Sequence, residues 1–258
     1  MSLSRRVAAL LWSACLAFVA LTGAAAAEGL SWSASLTGTS DYVFRGISQT
    51  DEDPTIQGSL GFEYDMFYAG AWASGLDWDG SDAELEVDWY AGVKPVWKHS
   101  PLGEVSFDFG VIYYTYPGAS DAGAELDYYE LKAGYSLPSP FIPHLTTGST
   151  FYWSPDYSGE VGSVWTSESN ASYALPKVAM FDPTISGVLG YQKGEDALFN
   201  GGGEDHYYYW NAGLTLAVEN LSFDFRYWDT DLEPAGLCGS ATLQCDERFV
   251  FSATVSLP

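Results

Sequence analysis

Basic residues are scarce in this chain. Lysine and arginine number 10 in 258 residues, against 34 acidic ones, and the net charge is −24. So acidic a chain argues against nucleic acid as a partner, because a phosphate backbone is bound by clustered cations. Histidine and cysteine number only three each. Charged residues reach only 17% while aromatics make up 16%. Beyond the N-terminal segment no apolar run is long enough for a spanning helix, which excludes a helical membrane protein.

The N-terminus reads MSLSRRVAALLWSACLAFVALTGAAAAEG. Arg5 and Arg6 precede an apolar run from Val7 to Leu21, and Ala25-Ala26-Ala27 before Glu28 fits an A-x-A cleavage site. This predicts a secretory signal peptide over 1–27, with Cys15 discarded in it, and a single domain over 28–258. Losing Arg5 and Arg6 moves the net charge from −24 to −26. Cys238 and Cys245 then remain. Two thiols so close in an exported chain point to a disulfide. Metal binding is the weaker reading, since no histidine clusters with them.

What the chain has in abundance is alternation at period two, the mark of strands with one apolar face. In PTIQGSLGFEYD, Ile56, Leu60, Phe62 and Tyr64 oppose Thr55, Gln57, Ser59 and Glu63. In LSFDFRYW, Leu221, Phe223, Phe225 and Tyr227 oppose Ser222, Asp224 and Arg226. Such segments fall at 30–44, 55–65, 67–77, 84–97, 104–116, 126–137, 145–154, 164–175, 184–193, 207–218, 221–228 and 248–257. That is about twelve strands, most near the roughly 9–11 residues a tilted strand needs to cross a bilayer. The gaps alternate between long, acid-rich segments and short turns such as Asp65-Met66 and Glu219-Asn220. This asymmetry predicts an all-β fold, a transmembrane antiparallel up-and-down β-barrel with long outer loops and short periplasmic turns.

Charges on the polar strand faces then point into a wet lumen, since a charge on the lipid face is costly. The expected pore-lining residues are Asp41, Arg45, Glu63, Glu84, Glu86, Asp88, Lys94, Asp108, Glu130, Lys132, Asp224, Arg226 and Arg248. Trp72, Trp89, Trp97, Tyr113 and Trp210 are expected in outward aromatic belts. The stretch SDYVFRGISQT, 40–50, reads as the top of the first strand. Tyr42 and Phe44 would face the outer belt there, with Asp41 and Arg45 facing the lumen and Gly46 turning into the first outer loop.

The same stretch, followed by Asp51 and Pro54-Thr55-Ile56-Gln57-Gly58, resembles the opening signature of the TorF porin family, also called the Gcw_chp domain. FYAGAWAS, 67–74, and ELEVDWYAG, 84–92, resemble two later elements of that family. The resemblance covers about 31–116 and implies an outer-membrane β-barrel described as a porin, without an assigned substrate.

Three functions compete. A porin would pass small solutes or ions through the bacterial outer membrane, with lipid around it and a cation preference from the acidic excess. A structural or surface-recognition barrel would instead use its acidic outer loops and hold no open pore. A barrel enzyme would need a histidine within reach of a serine or an acid. Of the three histidines, only His206, beside Asp205, lies at an outer mouth. No catalytic residue, cofactor or metal site is assigned, and the acidic stretch 194–205 lacks the ligand spacing of a calcium loop.

Overall fold

The wall grows directly out of the period-two segments. The computed structural model describes residues 29–78, 81–120, 125–195, 205–232 and 244–258. Its long strands are β1 (Leu30–Thr39), β2 (Thr55–Tyr64), β3 (Phe67–Gly75), β4 (Leu85–Val93), β5 (Val105–Thr115) and β6 (Tyr128–Pro138). They continue with β7 (Leu145–Ser154), β8 (Val164–Ala174), β9 (Asp182–Gly194), β10 (His206–Val218), β11 (Leu221–Thr230) and β12 (Arg248–Leu257). Each pairs antiparallel with its neighbour in sequence. The last strand pairs with the first, from Ala34 opposite Leu257 to Thr39 opposite Ser252, which closes a twelve-stranded barrel. Closure leaves no unpaired edge in the wall, as a membrane barrel requires.

Sequence and structure differ mainly at strand ends. The first strand stops at Thr39 rather than running to 44. β4 breaks at Lys94-Pro95 and resumes as Val96–Trp97 against Val105 and Ser106. Proline has no N–H to give the ladder, and here its carbonyl still accepts from the Phe107 amide at 2.9 Å. The predicted signal peptide lies outside the described residues.

One face of each strand carries the apolar side chains that contact the surroundings. Leu36, Ile56, Trp89, Leu189, Phe225 and Phe249 are all exposed on the outside. A soluble protein rarely shows so large a continuous apolar surface, while a lipid-facing band must. Trp89, Trp97 and Tyr113 are exposed as expected for belts. Trp72 is not among them. It stands on the inner face of β3, with Tyr68 and the buried Ser74, and packs against Tyr42.

Inner-face tyrosines seat themselves on glycines of neighbouring strands. A Cβ at Gly92 or Gly110 would meet the Tyr68 hydroxyl, and one at Gly190 would overlap the Tyr209 ring. Such close seating is open only to a residue without a side chain.

Candidate functional site in the barrel lumen

The stretch SDYVFRGISQT does not extend the wall. Val43–Phe44 pairs with Ile47–Ser48 in a short hairpin that folds back into the lumen from the long-loop end. Arg45 and Gly46 make its turn at φ of 51° and 87°. A side chain at position 46 would run into Thr230 and Tyr209, so the tip can approach the wall only with glycine there.

Asp41 ties down the root. Its carboxylate accepts from Ser48 Oγ at 2.7 Å, Thr50 Oγ1 at 2.9 Å and Arg248 Nη1 at 3.1 Å. Tyr42 and Phe44 therefore do not belong to an outer aromatic belt. Tyr42 packs edge-on to Trp72, with ring centroids 5.1 Å apart, and Phe44 packs on Tyr114. The strand reading placed these rings outside by extending period two past Thr39, where the chain instead turns inward.

Arg45 closes the tip onto the opposite wall. It is 5% exposed and donates two parallel hydrogen bonds to Glu130 on β6, at 2.8 and 2.7 Å. Tyr114 donates to the same carboxylate at 2.9 Å. The guanidinium lies over the rings of Phe44 and Tyr152, at 4.7 and 5.0 Å. The Tyr207 hydroxyl sits 3.0 Å from the Arg45 carbonyl and 2.9 Å from Gln192 Oε1. Burial opposes the charged form of Arg45, but the Glu130 carboxylate outweighs it and holds the pKa above its ordinary value.

Towards the short-turn end, Lys132 pairs with Asp108 at 2.8 Å, and Tyr68 donates to Asp108 at 2.7 Å. Lys94 lies over the Tyr68 ring and 3.4 Å from Glu63. Across the lumen, Arg226 is held by Asp224, Asn211 and Ser186.

The five expected lumen bases are thus all ion-paired: Arg45 with Glu130, Lys94 with Glu63, Lys132 with Asp108, Arg226 with Asp224 and Arg248 with Asp41. Glu84, Glu86 and Asp88 have no basic partner among the described residues. Glu84 stands exposed just before β4. Glu86 is buried, facing Tyr42, Tyr116 and Asp88. One buried carboxylate oxygen of Asp88 has no hydrogen-bond partner among the described residues.

Sequence reasoning missed Glu168, which accepts from Tyr209 at 2.6 Å, and the Tyr207–Gln192 pair beneath the tip. The available signal was the alternation of YYYW, 207–210, which sends two tyrosines inward. Cys245 is disulfide-bonded; Cys238 lies outside the described residues. His206 faces outward among Tyr191 and Tyr208, with Nδ1 2.9 Å from Asp205. Asp205 also bonds Lys193, and Lys193 and then His206 hold its carboxyl down at about 2.

The hairpin does not fill the lumen. Its tip leans on β5–β7 and β10. On the other side, between the root and β1–β3, β11 and β12, a cavity of about 230 Å³ remains.

A family model described as "Bacterial protein of unknown function (Gcw_chp)" matches residues 23–257. That description gives no activity and does not carry the TorF name. No curated protein matches. Among solved structures, the NanC porin aligns with a TM-score of 0.56 at 10% identity, over 87% of this chain and 99% of its own. The KdgM porin aligns at 0.54 and 12% identity, over 88% and 99%. A second KdgM structure, in complex with disordered oligogalacturonate, aligns at 0.56 and 12% identity. At these identities the likeness is one of fold.

Proposed function

The chain belongs to the Gcw_chp family, and for it we propose a porin of the bacterial outer membrane, reached by export through the periplasm. Small solutes or ions would diffuse passively past the inward hairpin. The observation that carries this is a charged, incompletely filled lumen inside a closed wall with an apolar exterior. Twelve strands stand between the eight that side chains fill and the sixteen or more that leave a wide channel. An inserted hairpin in a lumen of that size makes a narrow path.

Cation preference follows from the pairing. Every described lumen base is neutralised by an acid, while Glu168 and the Glu86–Asp88 pair near the long-loop end are not paired with a base. Two buried carboxylates that face each other share a proton, so that pair carries at most about one negative charge. A low-dielectric constriction amplifies such an imbalance. The same imbalance makes this lumen a poor path for an acidic oligosaccharide such as the oligogalacturonate in the KdgM complex. The shared fold therefore carries no shared solute.

The buried Arg45–Glu130 contact favours a second reading, a barrel sealed by its hairpin. Planar-bilayer recording of the refolded protein in a salt gradient separates the two. The porin gives discrete openings and a cation-selective reversal potential. A preparation that is heat-modifiable on a gel but electrically silent is a sealed barrel, and anion selectivity overturns the charge argument.

A further inference from the structure

We infer that the cavity beside the hairpin root binds one uncharged, hydroxylated ring, of the size and chemistry of a hexopyranose. This deepens the porin reading and rests on it for the route by which the solute arrives.

Size comes first. About 230 Å³ is smaller than the roughly 300–1,000 Å³ of sites for drug-sized ligands. A space of that size takes one six-membered ring with its hydroxyls.

Charge comes next. The two carboxylates of the cavity are both occupied: Asp41 by Arg248 and Asp224 by Arg226. Arg226 spends four of its five N–H groups on Asp224, Asn211 and Ser186. The site therefore offers no free charge of either sign. A carboxylate or phosphate solute would find its cation already neutralised. A quaternary ammonium would find aromatic walls but also the Arg226 guanidinium.

The walls then select the shape. Trp72 and Trp228 line the cavity with Tyr42, giving flat apolar surfaces on the β3, β11 and hairpin sides. The indole N–H of Trp72 and that of Trp228 have no hydrogen-bond partner among the described residues. Gln57 spends one amide hydrogen on a long 3.4 Å contact to Ser74 and keeps its carbonyl oxygen for another donor. Flat hydrophobic faces edged by uncharged donors and acceptors match a sugar ring, whose C–H faces are apolar and whose rim is hydroxylated.

The test is direct binding to the full chain refolded in detergent, read by saturation-transfer NMR with D-glucose and, in parallel, glycine betaine. Saturation of D-glucose, strongest at its ring C–H protons, is expected. The double variant Trp72→Leu/Trp228→Leu should bind about tenfold more weakly, and the outward control Trp89→Leu should bind unchanged. If the leucine variant loses heat-modifiable migration, Trp72→Phe and Trp228→Phe keep a flat face and should retain part of the affinity. Betaine binding without glucose binding overturns the inference, as does glucose binding indifferent to both tryptophans. The same preparation in planar bilayers keeps the two readings apart. Glucose binding in an electrically silent barrel upholds the site and overturns the porin. Channels without glucose binding overturn the site alone.

Discussion

Arg45 and Glu130 are each almost fully buried, and each is the other's countercharge. Truncating one leaves an unpaired buried charge, a loss of about 3–5 kcal/mol, while removing both costs less. Glu130→Ala should therefore lower the urea midpoint of the refolded barrel more than Arg45→Ala/Glu130→Ala does. Equal losses in single and double variants would mean that the pair contributes nothing. Glu86 and Asp88 act at the same scale as a buried carboxylate pair without a basic partner among the described residues, holding at most about one negative charge between them. Glu86→Gln/Asp88→Asn should move the potassium-to-chloride permeability ratio towards unity, measured as a reversal potential. The sequence reading put Arg45 on the polar face of the first strand, whereas it stands at the turn of a hairpin that follows that strand. Its partner was not legible in the sequence. Glu130 lies 85 positions away, and only closure of the wall brings β6 opposite the first hairpin.

At the scale of elements, strands were legible wherever the neighbouring strand enforces the alternation. β7 and β12 fall on their expected bounds: β7 is paired on both sides along almost its whole length, and β12 is paired at every position on at least one side. The first strand was read too long because alternation persists in DYVFR after pairing with β12 ends. Nothing local distinguishes a strand from a hairpin arm in that stretch. Gly46 is the residue that decides it, through its positive φ and its approach to Thr230 and Tyr209. Gly46→Val should unseat the hairpin and raise single-channel conductance while leaving heat-modifiable migration intact. An unchanged conductance would show that the hairpin does not narrow the path. Gly190 tests the seating of tyrosines on the wall. Gly190→Ala forces the Tyr209 ring off β9 and should cost about 1–3 kcal/mol, the usual penalty of overpacking.

For the whole molecule, selectivity should depend on salt. The screening length falls from about 10 Å at 0.1 M to about 3 Å at 1 M. Cation preference in recordings should weaken over that range if unpaired lumen acids cause it. A ratio independent of ionic strength would point to a steric filter instead. The sequence by itself determined the class of the protein: a closed, twelve-stranded wall with its apolar face out, because period two assigns every side chain to one of two faces. The tertiary structure alone decided which acids remain unpaired, that Trp72 and Tyr42 face each other inside, and that SDYVFRGISQT crosses the lumen. Those facts depend on contacts between strands far apart in the chain. They form only once the barrel has closed and fixed the distance across it.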